Sequence, residues 1–160
     1  MFQSFGESAR IMTVIRRSKA TDLPALFVIW RDAVRSTHTF LTEADIEFYS
    51  RQVRDQYLPS CSFWVAVGAD DEPQGFMGMT GSKIDALFVH PAHHGQGIGR
   101  ALIDHAASLS HNLTVDVNEQ NEGACSFYGR LGFRRIGRSE LDDSGRPFPL
   151  LHLARHGEPP

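Results

Sequence analysis

Two cysteines, Cys61 and Cys125, are too few for a disulfide framework and suit a reducing compartment, so a cytoplasmic location is expected. Basic charge is not in excess either. Sixteen Lys and Arg against nineteen Asp and Glu leave a net charge of −3, which offers no footprint for nucleic acid. No apolar run approaches the ~18 residues that cross a bilayer, and no membrane partner is expected. The N-terminus lacks the basic start and continuous apolar core of a signal peptide. Repeats, low-complexity stretches and interdomain linkers are missing too. What is there is an ordinary globular composition, 41% hydrophobic and 22% charged, long enough for a full core. Residues 1–12 carry no usable pattern and are read as a disordered extension. Residues 13–156 are read as one domain.

Periodicity then orders the elements. Thr13 to Arg17 is β-like. Thr21-Asp22 with Pro24 starts a helix whose face carries Leu23, Leu26, Phe27, Trp30 and Val34. A second helix begins after Thr42, with Asp45 as its capping-box partner, and runs to about Leu58. Phe63–Gly68 and Gln74–Thr80 form a hairpin around Asp70-Asp71-Glu72-Pro73. Strands follow at Ile84–Val89, Leu113–Val117, Arg134–Leu141 and Pro149–Ala154. A helix at Gly123–Leu131 ends on Gly132, which suits the left-handed position after a C-cap. The order β-α-α-β-β-β-α-β-α-β-β implies an α/β (α+β) fold, a mixed sheet with helices on both faces.

The most informative stretch runs from Val89 to Leu102. Gly95, Gly97 and Gly99 join an apolar strand to Ile98, Leu102, Ile103, Ala106 and Leu109, which recur at helical spacing. A strand, a glycine turn and a helix make an anion site, because unpaired N–H groups of the first turn converge where no side chain intervenes. No Lys-Ser or Lys-Thr follows the glycines, which excludes a P-loop, and the third glycine of a dinucleotide fingerprint is absent. His90, His93 and His94 have no second ligand cluster or cysteine beside them, so no metal is expected.

His94-x-x-Gly97-x-Gly99 resembles the [RQ]-x-x-G-x-[GA] signature of the GNAT superfamily of N-acetyltransferases, with His94 in place of the usual Arg or Gln. Asn121, Ala124, Phe127, Tyr128, Gly132 and Phe133 fit the N-x-x-A-x-x-F-Y-x-x-x-G-F pattern of the same superfamily. Thr37-His38-x-Phe40-Leu41, Asp85-Ala86-Leu87-Phe88 and Asp142-Asp143-x-Gly145 resemble the small bacterial YjaB-type subgroup. The resemblance implies the GNAT fold, whose two central parallel strands splay apart; here these are Ile84–Val89 and Leu113–Val117. It implies direct acetyl transfer from acetyl-CoA to a primary amine, on a small molecule or a peptidyl lysine, by a monomer or homodimer. A catalytically silent acyl-CoA-binding module on the same fold is the alternative.

Site residues follow from the same likeness. Backbone N–H groups of Gly95, Gln96, Gly97, Ile98, Gly99 and Arg100 are expected around the pyrophosphate, with His94 beside them. The edge at Leu87, Phe88 and Val89 is expected to hold the pantetheine amides and the oxyanion. Asn121 resembles the pantetheine-contacting Asn, and it is also placed to cap the helix it precedes. Tyr128 resembles the Tyr that protonates the leaving thiolate. The acceptor pocket is expected from Ser36–Thr42 and Asp142–Pro149, with His38, Phe40 and Glu119 as substrate contacts. Asp85 is the first candidate for the base that deprotonates the amine, and His38 and Glu119 are the others.

Overall fold

Alternation is clearest at Asn112–Asn118, where Leu113, Val115 and Val117 are buried on one face while Thr114, Asp116 and Asn118 point to the other. The computed structural model describes residues 13–157 and builds the domain around this strand. The expected N-terminal extension lies outside the described residues.

Seven strands form one sheet: β1 (Val14–Arg17), β2 (Trp64–Val67), β3 (Pro73–Thr80), β4 (Lys83–Val89), β5 (Asn112–Asn118), β6 (Arg134–Ser139) and β7 (Leu150–His156). Their spatial order is β1-β2-β3-β4-β5-β7-β6. Only β4 and β5 run parallel among the paired neighbours, so the sheet is mixed, as expected. β6 ends at Ser139, two residues short of the expected Leu141, where the chain leaves the sheet for a loop.

Helices cover both faces. α1 (Leu23–Thr37) and α2 (Glu43–Gln52) close over Phe63, Val65, Phe76 and Ala86. α3 (Ile98–Leu109) and α4 (Glu122–Arg130) close over Met77, Ile84, Leu113 and Val115. The start of α1 is anchored by Asp22, a buried carboxylate that accepts two bonds from the Arg16 guanidinium at 2.8 and 3.0 Å. The arginine holds that carboxyl below its ordinary range. α2 starts on the expected capping box: Thr42 accepts from the Asp45 N–H, and Asp45 accepts from the Thr42 N–H. The helix then passes through a π-helical turn, Val53–Tyr57, and ends at Ser60.

One irregularity matters more than the rest. Gly78 pairs with Ala86, but the next residue, Met79, pairs with Ile84, so Asp85 is an extra residue in β4. The bulge reverses the side-chain alternation: Ile84 packs under α3 and α4, whereas Ala86 packs under α1. Beyond this point β4 and β5 part, since they pair only at Lys83↔Thr114 and Ile84↔Val115.

The α3 face tests the packing. Leu102 is fully buried, whereas Leu109 on the same helix is 54% exposed. Leu102→Ala should cost about 2–5 kcal/mol in urea unfolding, while Leu109→Ala should stay within about 0.5 kcal/mol. Equal losses at both positions would contradict this orientation of α3.

Candidate functional site

The parting of β4 and β5 leaves backbone without a neighbour. His90 donates to the Gln74 carbonyl at 2.9 Å, which places the peptide groups of His90 and Phe88 on the β3 side. By alternation, those of Leu87 and Val89 face the gap. A cavity of about 720 Å³ opens there, lined by all three of Leu87, Phe88 and Val89. Its free strand edge suits an extended, amide-bearing ligand.

At the end of the gap the chain turns through Gly95 and Gly97, both with positive φ (77° and 82°), into α3. Gly97 is the N-cap, and nothing stands within 4 Å of where its Cβ would be. Gly99 is tighter, because a Cβ there would meet the Phe127 ring at 3.1 Å. Gly95, Gly97, Ile98, Gly99 and Arg100 all line the cavity, whereas Gln96 is exposed and lies off its wall. The open N-terminus of a twelve-residue helix attracts an anion. Arg100 and Arg130 add positive charge on the lining, and neither forms an ion pair among the described residues. Arg130 escaped the sequence reading, although its place in the last turn of α4 and its basic charge were both visible.

His94, expected beside the pyrophosphate, lines the cavity and is itself engaged by the backbone. Its Nε2 donates to the Val89 carbonyl at 2.9 Å, tying the glycine turn to the free edge of β4. Among the described residues no group of three metal-ligating side chains comes together; His90 meets Asp32 at 2.9 Å instead.

Asn121 caps α4, its side chain accepting from the Ala124 N–H at 3.1 Å, and it also lines the cavity. Tyr128 lies on the floor, 6% exposed, with its ring edge-on to Phe127 and Phe133. Burial raises the phenol above its ordinary range, so it stays protonated at neutral pH. Among the described residues its hydroxyl has no partner.

A second cavity, about 650 Å³, lies on the far side of the β4 edge. His38, Asp85, Ala86, Phe88 and Asn118 line both cavities and so mark the junction. Asp85, the bulge residue, accepts from the Thr80 hydroxyl at 2.5 Å. Asn118 was missed by the sequence reading, yet strand alternation puts it and Asp116 on this face. Asp116 lines the first cavity between Lys83 at 3.0 Å and His152 at 2.6 Å. Burial alone would raise its carboxyl, but these partners hold it below its ordinary range.

The wall of the second cavity comes partly from the loop between β6 and β7. Tyr49 donates to Asp142, Arg146 bonds Asp45 at 2.9 Å, and the Arg146 guanidinium stacks 4.2 Å above Phe48. These contacts fasten the loop to α2. Phe40 packs at a tilt against His38 and Phe148, which line the cavity, so Phe40 backs the wall without lining it. Glu119 is not brought to either cavity: it is exposed and pairs with Arg138 at 2.5 Å.

Comparison with known proteins agrees with this geometry. A family model described as an acetyltransferase (GNAT) domain matches residues 59–135. The peptidyl-lysine N-acetyltransferase YjaB of Salmonella typhimurium is 48% identical over 143 residues, covering 89% of this chain and 98% of the relative. The solution structure of apo-form YjaB from Escherichia coli matches with a TM-score of 0.87 at 44% identity, over 92% of this chain and 100% of that one. The PaiA N-acetyltransferase of Thermoplasma acidophilum, solved in complex with coenzyme A, shares the fold with a TM-score of 0.74 at 21% identity, over 91% and 99% of the two chains.

The glycine turn gives a direct test. Gly97→Glu places a carboxylate at the open N-terminus of α3 and strains a positive φ, so acetyl-CoA binding by calorimetry should vanish while circular dichroism stays native. Normal affinity in that variant removes the anion site.

Proposed function

This chain belongs to the GNAT acetyltransferases and is an N-acetyltransferase, and from that premise we propose that it carries acetyl groups from acetyl-CoA to lysine side chains of proteins. The observation that supports the reading most is the junction of two cavities at the free edge of β4. One cavity suits a long ligand with amides and phosphates, and the other suits an amine. Three acids, Asp85, Asp142 and Asp143, line the acceptor cavity, and among the described residues no lysine or arginine does. That imbalance favours a cationic acceptor. The names of the YjaB relatives support a protein lysine over a small amine.

In this reading the first-turn N–H groups at residues 95–100, with Arg100 and His94 alongside, hold the pyrophosphate. Leu87 and Val89 offer backbone donors and acceptors to the pantetheine arm, and Asn121 adds its side-chain amide. The acetyl group then lies at the junction. Attack by the amine turns the thioester carbonyl into an oxyanion, which a free amide of β4 stabilises without having to reorganise. When the C–S bond breaks, the Tyr128 hydroxyl protonates the sulfur. A buried phenol is a weak acid, but it is always charged with its proton and is as close as the cavity floor. Asp85 draws the ammonium to the junction. Two free thiols and the lack, among the described residues, of any helix long and apolar enough to cross a membrane fit the cytoplasm, as a monomer or homodimer.

A panel of lysine peptides, free amino acids and small amines, assayed for CoA thiol release, tests the acceptor class. Lysine peptides should be turned over with the highest kcat/KM; preference for a small amine overturns the protein-lysine assignment. Tyr128→Phe should lower kcat about 10²-fold or more and leave acetyl-CoA affinity unchanged, because proton donation acts only in the transition state. An unaltered kcat would make the tyrosine a packing residue. Arg146→Ala frees the β6–β7 loop from Asp45 and Phe48, so the KM for lysine peptides should rise several-fold while the acetyl-CoA Kd holds.

A further inference from the structure

Of the five residues at the junction, only His38 and Asp85 carry a group able to take a proton from the acceptor nitrogen. Their hydrogen bonds separate them. Thr37 donates its hydroxyl proton to the Ala33 carbonyl at 2.8 Å, and the same oxygen lies 2.8 Å from His38 Nδ1. A hydroxyl has one proton, already committed to Ala33, so the proton in the second contact must come from the ring. This fixes the tautomer: Nδ1 carries hydrogen and Nε2 is bare. Nε2 has no partner among the described residues, and it is not sealed in the interior as the unpartnered His105 Nε2 is. Its lone pair is therefore left accessible on a ring that lines both cavities.

We propose that His38 Nε2 is the general base of acetyl transfer, receiving the proton that the acceptor nitrogen loses as it bonds to the acetyl carbon. The proposal rests on the acetyltransferase reading above and deepens it. The ammonium first gives one proton to solvent water, and the neutral amine attacks the thioester carbonyl, forming the C–N bond and an oxyanion. The nitrogen, now cationic, passes a proton to Nε2. The carbonyl re-forms as the C–S bond breaks, the sulfur takes the Tyr128 proton, and the imidazolium proton returns to the phenolate through water. The products are an N-acetyl amide and CoA thiol.

Burial pushes the imidazole down to about 4, which keeps it neutral and ready across the working range. A weak base is sufficient here, because an amine nitrogen becomes strongly acidic once it bonds to the carbonyl carbon. Titratable groups lining the two cavities include Asp85 on β4, Asp116 on β5, Tyr49 on α2, Tyr57 on the π turn, Cys61 ahead of β2, Asp142 and Asp143 on the β6–β7 loop, and Tyr128 on α4, with His93, His94, Arg100 and Arg130 farther along the first. Asp142 is bonded by Tyr49 and by the Ser144 and Arg146 N–H groups, and Asp85 by Thr80. Asp116 has both oxygens engaged by Lys83 and His152. His38 Nε2 is the nitrogen base left free at the junction among the described residues.

His38→Asn separates catalysis from packing. An asparagine amide nitrogen can take the place of Nδ1 and donate to Thr37, but nothing replaces Nε2. With a lysine peptide and acetyl-CoA, kcat should fall about 10²-fold or more, while the acceptor KM and the acetyl-CoA Kd by calorimetry stay at wild-type values. In His38→Ala, added imidazole should restore part of kcat in proportion to its free-base concentration, which a merely structural role would not produce. Wild-type turnover with undiminished kcat in His38→Asn, or a folded His38→Ala that imidazole does not rescue, overturns this inference alone. A wild-type chain that binds acetyl-CoA and acetylates no acceptor overturns the acetyltransferase reading and this inference with it.

Discussion

The structure depends on the separation of two parallel strands. β4 and β5 share two paired positions, Lys83↔Thr114 and Ile84↔Val115, and then diverge. A backbone N–H or C=O left without a partner costs about 1–3 kcal/mol when it is buried. The free edge at Leu87 and Val89 is therefore tolerated only because it lines an open cavity, where water or a ligand can serve it. His94 satisfies part of this demand by donating to the Val89 carbonyl. A chain fold with a built-in vacant strand position is a receptor for something strand-like.

Other features follow from that gap. The bulge at Asp85 turns the alternation of β4 over, so Ala86 and Phe88 reach the α1 side while Ile84 remains beneath α3. It also puts a carboxylate at the point where the two cavities meet. Since α3 begins where β4 ends, the open N-terminus of the helix lies at one end of the gap. α4, capped by Asn121, carries Tyr128 to its floor. One divergence in hydrogen bonding thus brings the glycine turn, the free amide edge and Tyr128 to one cavity.

Periodicity and glycine placement made much of this legible. The α3 face, the β5 alternation, the capping box of α2 and the left-handed Gly132 were all readable, because each reflects local backbone or burial rules that act within a few residues. Longer-range facts were not. The Asp85 bulge leaves no mark in composition, since one extra residue in β4 shows only in its register against β3. Tyr49 and Asp142 lie 93 residues apart, so their bond exists only once the sheet has formed. Glu119 was a candidate site acid from the family likeness, but Arg138 on β6 pairs with it. The His38 tautomer depends on where the Thr37 proton goes, and that is a property of helix geometry rather than of residue type.

A net charge of −3 conceals a segregation of charge along the site. Arg100 and Arg130 line the first cavity together with Asp85 and Asp116, whereas Asp85, Asp142 and Asp143 line the second, which holds no lysine or arginine among the described residues. Under the proposed transfer, the anionic carrier is drawn to the arginine-bearing cavity and the cationic acceptor to the acidic one. On that proposal the two reactants meet at the junction that both cavities share. Orientation of this kind removes much of the entropic barrier to a bimolecular transfer before any proton moves. The acidic wall is also the part held by half-buried contacts, Arg146 to Asp45 and Tyr49 to Asp142, rather than by the core. Such a wall can change its sequence, and with it the acceptor, while the carrier site stays fixed by the sheet.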